Sequence, residues 1–222
     1  MNCILCCLPL SLPWGVCSEC IKHLSDTSLT CLGCGLPLLN INQPCYYCLD
    51  FKPAWHTLTA FTDYRPPLSQ LIYQFKSRQK TQLSYGLARL IFLAWYHARE
   101  CYGLAKPDIV TCVPLSRSRY WLRGYNQSQL LAQHIAHWLD SDFKPYLLSR
   151  HSGRLEQKLL SKSQRACNVK NTFSCYEDLT GKTIAVIDDI VTTGYTVHEL
   201  SKELKKQGAL HIQILCLCRT RL

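Results

Sequence analysis

Four short cysteine pairs in the first fifty residues constrain this chain more than any other feature. Cys3-x-x-Cys6, Cys17-x-x-Cys20, Cys31-x-x-Cys34 and Cys45-x-x-Cys48 follow one another with ten residues between each pair and the next. A shift of 28 residues carries the first two pairs onto the last two, so the segment reads as two copies of one small unit. A Cys-x-x-Cys turn aims two thiolates at one cation, and two such turns complete a tetrahedral zinc site. Fifty residues with so little apolar surface cannot build a core without a staple, and zinc binding supplies that folding free energy. With all four positions of each site filled by sulfur, the metal is structural, with no open position for catalysis. Because every gap has the same length, spacing leaves the pairing and the number of ions (one or two) open. Sequential sites (Cys3, Cys6, Cys17, Cys20, then Cys31, Cys34, Cys45, Cys48) are the simplest choice, and crossed pairing is the alternative. Cys7 is a spare. Cys101, Cys112, Cys167, Cys175, Cys216 and Cys218 lack partners at ligand spacing and read as ordinary buried or half-buried residues.

Reading fifteen cysteines as metal ligands and core residues requires a reducing compartment. The first basic residue is Lys22, whereas a secretory leader needs a basic stretch before its apolar run. The longest apolar candidate for a membrane span, residues 83–98, carries Arg89 and falls short of the roughly 18 uninterrupted apolar residues required. The expectation is a cytoplasmic protein that does not span a membrane. Its net charge of +10 is unevenly spread: residues 1–50 sum to −2, and residues 112–170 hold ten Lys and Arg against three acids. That skew favours a polyanionic ligand, either a phosphorylated metabolite or nucleic acid.

After Pro53 the pattern becomes that of an α/β domain, so the expected boundary lies between residues 1–52 and 53–222. Strands are predicted over 55–64, 108–113, 182–187 and 210–217. Helices are predicted from Leu68, over 82–102, over 125–139 and over 196–207, with Gly208 as a C-cap. Strands alternating with helices point to a mainly parallel sheet. Residues 151–170 have few apolar anchors and many bases, and read as a mobile loop.

The sharpest chemical signal is Ile184-Ala-Val-Ile-Asp-Asp-Ile-Val-Thr-Thr-Gly-Tyr-Thr196. An apolar strand delivers two carboxylates at its C-terminal end, where ligands of open α/β sheets bind. Main-chain N–H groups of residues 192–196, with the threonine hydroxyls, can wrap a phosphate at the following helix's positive end. The carboxylates are repelled by phosphate and so face its sugar, directly or through a hard cation such as Mg²⁺. A helix N-cap alone would account for one Asp and one Thr, but not for two acids, three threonines and a glycine.

These residues resemble the phosphoribosyl pyrophosphate (PRPP) signature of type I phosphoribosyltransferases. The cysteine pairs resemble the double zinc ribbon of one branch, the ComF/GntX family of competence and DNA-utilisation proteins. Val113-Pro114-Leu115 followed by Arg119, then Arg123-Gly-Tyr-Asn-Gln127, is similar to that family's second motif. Gln157, Arg165, Asn168, Asn171 and Phe173 are similar to its third. The resemblance implies a type I phosphoribosyltransferase fold, PRPP as ligand, and a link to uptake or use of external DNA. It implies that Asp188 and Asp189 serve the ribose and that Thr192, Thr193, Gly194 and Thr196 serve the 5-phosphate. The turn at Val113, Pro114 and Leu115 would take pyrophosphate. Tyr195 departs from the family's usual small residue, so either its ring points out of the loop or the phosphate site is altered.

If the chain is a transferase, Arg119 and Arg123, with Lys158, Lys162 or Arg165, can neutralise departing pyrophosphate. No acceptor pocket is legible. Two alternatives stand beside an active transferase. One is a PRPP-sensing, single-stranded-DNA-binding factor without turnover, in which Tyr120, Trp121 and Tyr125 interleave with arginines as a stacking surface. The other is a zinc-ribbon adaptor with a vestigial ligand site. His134 and His198 read as packing or surface residues, not general bases.

Overall fold

The computed structural model of the chain describes residues 2–10, 15–24, 30–38, 40, 45–151 and 172–220. The 28-residue repeat survives in three dimensions. Asn2 bridges Pro9 and Thr30 bridges Pro37, and the helices α1 (Ser18–Leu24) and α2 (Tyr46–Phe51) start 28 residues apart. Each unit is therefore one cysteine-bearing turn followed by one short helix that opens on its second cysteine pair.

Beside a single 3-10 turn at Thr81–Leu83, the remaining described elements are β1 (Thr57–Asp63), α3 (Leu68–Ser77), α4 (Ser84–Tyr102), β2 (Ile109–Cys112), α5 (Arg117–Arg123), α6 (Gln127–Leu139), β3 (Asp142–Phe143), β4 (Ser149–Arg150), β5 (Phe173–Ser174), β6 (Thr183–Val191), α7 (Tyr195–Lys206) and β7 (His211–Arg219). Five strands form one parallel sheet in the order β1-β7-β6-β2-β3, and β4 pairs antiparallel with β5. The two nine-residue strands β6 and β7 read as nearly continuous apolar runs because helices cover both faces of the sheet. On one face α3, α4 and α6 press Phe75, Leu87, Ile91, Leu131 and Ile135 against Ala185, Ile187, Leu215 and Leu217. On the other, α7 presses Val197, Leu200 and Leu204 against Ile184, Val186, Ile212 and Ile214. Among the described residues no helix is long and apolar enough to cross a membrane.

The predicted strands and helices fall within about two residues of where the periodicity places them, the short strands β3, β4 and β5 were not predicted, and two larger differences stand out. β6 continues to Val191 instead of ending at Ile187, and its ladder to β7 runs through Asp188↔Cys216 and Ile190↔Cys218. The two acids can sit inside the sheet because each finds a polar partner there, Ser128 for Asp188 and Lys76 for Asp189. The second difference is α5, whose Arg117-Ser-Arg-Tyr-Trp-Leu-Arg123 carries no apolar stripe. It forms because Ser116 caps it, accepting from the Arg119 N–H at 3.4 Å, and because Gly124 closes it at φ +77°.

The first cysteine unit packs on α4. Cys3, Val16 and Leu24 join the core beside that helix, and Arg89 donates to the Val16 carbonyl at 3.1 Å. Gly15, at φ +78°, touches Gly86 so closely that a Cβ on it would lie 2.7 Å from the Gly86 Cα.

Candidate functional site

The eight paired cysteines form two quartets, and the grouping is sequential. The sulfurs of Cys3, Cys6, Cys17 and Cys20 lie within 4.8 Å of one another, as do those of Cys31, Cys34, Cys45 and Cys48. Sulfurs of different pairs approach to 3.8 Å (Cys6 and Cys17), 3.7 Å (Cys31 and Cys48) and 3.4 Å (Cys34 and Cys45). Four bonds of about 2.3 Å in a tetrahedron put sulfurs roughly 3.8 Å apart, so both quartets fit zinc. The thiol chemistry fits as well. A hydrogen bond from Cys34 holds Cys31 down to about 5, while burial and the Cys31 charge push Cys48 up to about 12. A quartet that resists ionising together in the absence of a cation is one a divalent ion completes. Cys7 stands outside both quartets, and Cys112, Cys175, Cys216 and Cys218 are buried as expected. Cys101 is instead exposed, beside His97 on the last turn of α4, because that turn projects past the core. Cys167 lies outside the described residues.

The acid pair occupies the C-terminal half of β6. Asp188 Oδ1 accepts from the Ser128 hydroxyl at 3.1 Å and from the Asp189 N–H at 2.9 Å. Asp189, 7% exposed, faces Lys76 of α3, whose Nζ lies 2.8 Å from Asp189 Oδ1. Burial first, and the Asp189 charge second, push the Asp188 carboxyl up to about 7, against the pull of the Lys76 ammonium. The Lys76 ammonium and the raised Asp188 carboxyl both ease the repulsion between the two acids.

Beyond Val191 the chain leaves the sheet as Thr192, Thr193 and Gly194, then enters α7 at Tyr195. The two threonines are exposed, and the main-chain N–H groups of residues 192–196 have no partner among the described residues. Free N–H groups at the start of a twelve-residue helix are an anion-binding arrangement. The Tyr195 ring turns away from the loop and sits edge-on to Phe51 at 5.2 Å, as its size requires.

Val113, Pro114 and Leu115 adjoin the acids. The Val113 N–H bonds the Ile187 carbonyl at 3.0 Å, and Asn126 Nδ2 bonds the Val113 carbonyl at 3.0 Å. Arg123 donates to Gln127 Oε1 at 3.0 Å, next to the serine that holds Asp188. Arg119 is exposed and its guanidinium has no partner among the described residues. Gln157, Lys158, Lys162, Arg165, Asn168 and Asn171 lie outside the described residues, while Phe173 is a buried residue of β5. His198 packs against Phe51 and takes the Ala54 N–H at 3.1 Å; His134 pairs with Ser84 and stacks on Trp138. Neither is placed as a base. A cavity of about 430 Å³ lies between β1, α4 and the cysteine units, and its lining includes Arg219 but no residue of the acid pair or the loop.

Four site residues escaped the sequence reading, one of them Ser128, which directly follows the Arg123–Gln127 run. Lys76 follows Leu68 and Ile72 at four-residue intervals, so its place on the buried face of α3 was a usable signal. Arg219 was another, a charge closing an apolar strand. Tyr47, between two cysteines, carried no such mark.

A family model described as the phosphoribosyl transferase domain matches residues 128–221. The chain is 40% identical over 219 residues to the DNA utilization protein YhgH of Escherichia coli (strain K12), covering 98% of this chain and 96% of that one. It is 36% identical over 208 residues to Competence protein F of Haemophilus influenzae, covering 92% and 90% respectively. A purine phosphoribosyltransferase structure from Pyrococcus horikoshii Ot3 is similar at 25% identity over 61% of this chain and 74% of that one, with a TM-score of 0.39.

Proposed function

Because this chain belongs to the family of competence protein F and the DNA utilization proteins, with their phosphoribosyltransferase domain, we propose that it binds PRPP at the end of β6 and serves the use of external DNA. One observation carries the reading: two carboxylates and a run of free main-chain N–H groups adjoin at the C-terminal end of a central parallel strand. In this reading Asp188 and Asp189 take the ribose hydroxyls. Thr192, Thr193, Gly194, Tyr195 and Thr196 hold the 5-phosphate through their N–H groups and threonine hydroxyls. Residues 113–115 face the pyrophosphate, with Arg119 and Arg123 adding positive charge. Mg²⁺ arriving with PRPP would be held against Asp188 and Asp189 and would supply counter-charge to the pyrophosphate. Lys76 then stands in for that cation while the site is empty of ligand. Residues 1–52 form the ribbon module, residues 53–222 the ligand domain, and the working compartment is the cytoplasm.

Titration of the full chain with PRPP and Mg²⁺ in a calorimeter tests the binding step. Saturable binding that vanishes in Asp189→Asn supports it, and heat indistinguishable from dilution removes it. Release of pyrophosphate on adding a panel of bases and nucleosides then separates a transferase from a sensor.

A second reading adds single-stranded DNA as a partner, favoured by α5. That helix holds three arginines and no acid, with Tyr120, Trp121 and Leu122 exposed at 51%, 86% and 80%. Aromatic faces beside arginines suit unpaired bases and their phosphates. Quenching of tryptophan fluorescence by an oligothymidylate at low salt, lost in Trp121→Ala, is the result it requires. It places the protein beside the DNA-uptake machinery, not within a membrane.

A further inference from the structure

We propose that the second cysteine quartet positions the phosphate loop, so that its metal and the phosphoribosyl ligand bind cooperatively, with Tyr47 and Arg219 carrying the coupling. The proposal rests on the phosphoribosyl reading above and goes beyond it.

Tyr47 lies between two of the quartet's ligands, Cys45 and Cys48, on the first turn of α2. Its phenol donates to the Thr193 carbonyl at 2.8 Å. That bond reaches the ligand side of the loop through the planarity of one peptide. The Thr193 carbonyl and the Gly194 N–H point in opposite directions. Holding the carbonyl toward the ribbon therefore aims the N–H away from it, to the side where an anion would sit.

Gly194, at φ +78°, is pressed against the same unit: a Cβ there would stand 2.9 Å from the Tyr47 hydroxyl and 3.0 Å from Trp55. Trp55 in turn donates to the Gly33 carbonyl, inside the Cys31–Cys34 turn, at 2.5 Å.

Arg219 ties the other end of the loop. It is 1% exposed, its Nε donates to the Cys34 carbonyl at 3.0 Å, and its Nη1 donates to the Val191 carbonyl at 3.2 Å. Its guanidinium lies 5.3 Å from the centre of the Tyr47 ring. No carboxylate pairs with this buried cation among the described residues. A divalent ion held by four thiolates carries a formal charge of −2, so the loaded quartet is the counter-charge that Arg219 lacks. Without metal, a unit stapled by four cysteines loses its fold and with it every one of these contacts.

The first quartet supplies the control. Its bond to the body of the protein goes through Val16 to Arg89 of α4, and no bond joins it to residues 191–198 among the described residues. Coupling between two binding sites is reciprocal, so the ligand must tighten the metal as much as the metal tightens the ligand.

The test uses the full chain loaded with two zinc ions, a zinc-selective chromophoric chelator, and PRPP with Mg²⁺. Calorimetry first establishes PRPP binding by the wild type. The expected result is that saturating PRPP raises the chelator concentration needed to withdraw one ion at equilibrium by about fivefold or more and leaves the other unchanged. In Cys20→Ser, which lacks the first site, the remaining ion should keep its protection. Tyr47→Phe, which retains the ring and all eight thiols, should bind PRPP several-fold more weakly and lose part of that protection. PRPP binding with no change in the affinity of either ion, or an equal tightening of both ions, overturns the coupling. Absence of PRPP binding by the wild type overturns the phosphoribosyl reading beneath it.

Discussion

Replacing Lys76 with methionine removes the only ammonium at the acid pair among the described residues while keeping the length of the side chain on α3. The wild-type contact is 2.8 Å between side chains that are 22% and 10% exposed. At an effective dielectric of about 20 the gross attraction is roughly 6 kcal/mol, and desolvation of the ammonium offsets much of it. Removing one partner of a fully buried pair costs about 3–5 kcal/mol. The remaining exposure lets water take part of the stranded charge, which brings the expected loss at pH 8 to about 2–3 kcal/mol. The pair can escape that loss by taking up a proton. Asp188 is already raised to about 7, and losing the lysine raises it further. A raised carboxyl means the folded state binds more protons than the unfolded one, so stability falls as pH rises through that range. The variant should therefore be destabilised by only about 1 kcal/mol at pH 6, with the deficit growing by up to about 1.4 kcal/mol per pH unit once the pH passes about 7. Urea unfolding followed by tryptophan fluorescence, at pH 6 and pH 8, reads both numbers. Equal destabilisation at the two pH values would show that Lys76 acts by packing, and the electrostatic account would be wrong.

The same proton predicts that PRPP affinity rises with pH toward 7 and then levels, and that Asp188→Asn flattens the profile; calorimetry from pH 5.5 to 8 measures it. Gly194→Ala forces a side chain into left-handed backbone, at about 1–2 kcal/mol, and against Tyr47 and Trp55. PRPP affinity should drop at least about tenfold, a loss of about 1.4 kcal/mol, while the zinc content stays at the wild-type value. His56 and His211 stack at 4.5 Å, and burial holds both below the ordinary histidine value. Depressed histidines contribute stability above about pH 6.5 that is lost as pH falls through their folded values, so melting temperature should decline on acidification. His56→Gln should shrink that decline, as thermal scans at pH 7 and pH 5.5 would show.

What the sequence displayed depended on how far apart along the chain the partners lie. The cysteine quartets and the 188–196 segment were legible because their chemistry sits within one short stretch, where spacing is geometry. The central strands were legible from their uninterrupted apolar runs. Spacing could not choose between sequential and crossed sulfur pairing; the turns of each unit chose. α5 was hidden because a helix whose residues all stay unburied has no apolar period to read. Lys76, Tyr47 and Arg219 were missed for a common reason. Each meets its partner across more than a hundred residues, and only the sheet order brings them together. The strand reaching Val191 belongs to the same class: propensity argues against Asp188 and Asp189 in a sheet, and tertiary hydrogen bonds override it.

Among the described residues the edge strand β1 meets the sheet through β7 alone, and the bond from the Ile212 N–H to His56 spans 156 residues. On a ribosome adding about 5–20 residues per second, β1 waits roughly ten to thirty seconds for its neighbour. The two cysteine units emerge long before that and can take up metal while the rest of the nascent chain is unformed. Arg219, carried on β7, then clasps the second unit to the loop, so a chain stalled before β7 carries its cysteine units but not the completed loop of the proposed site.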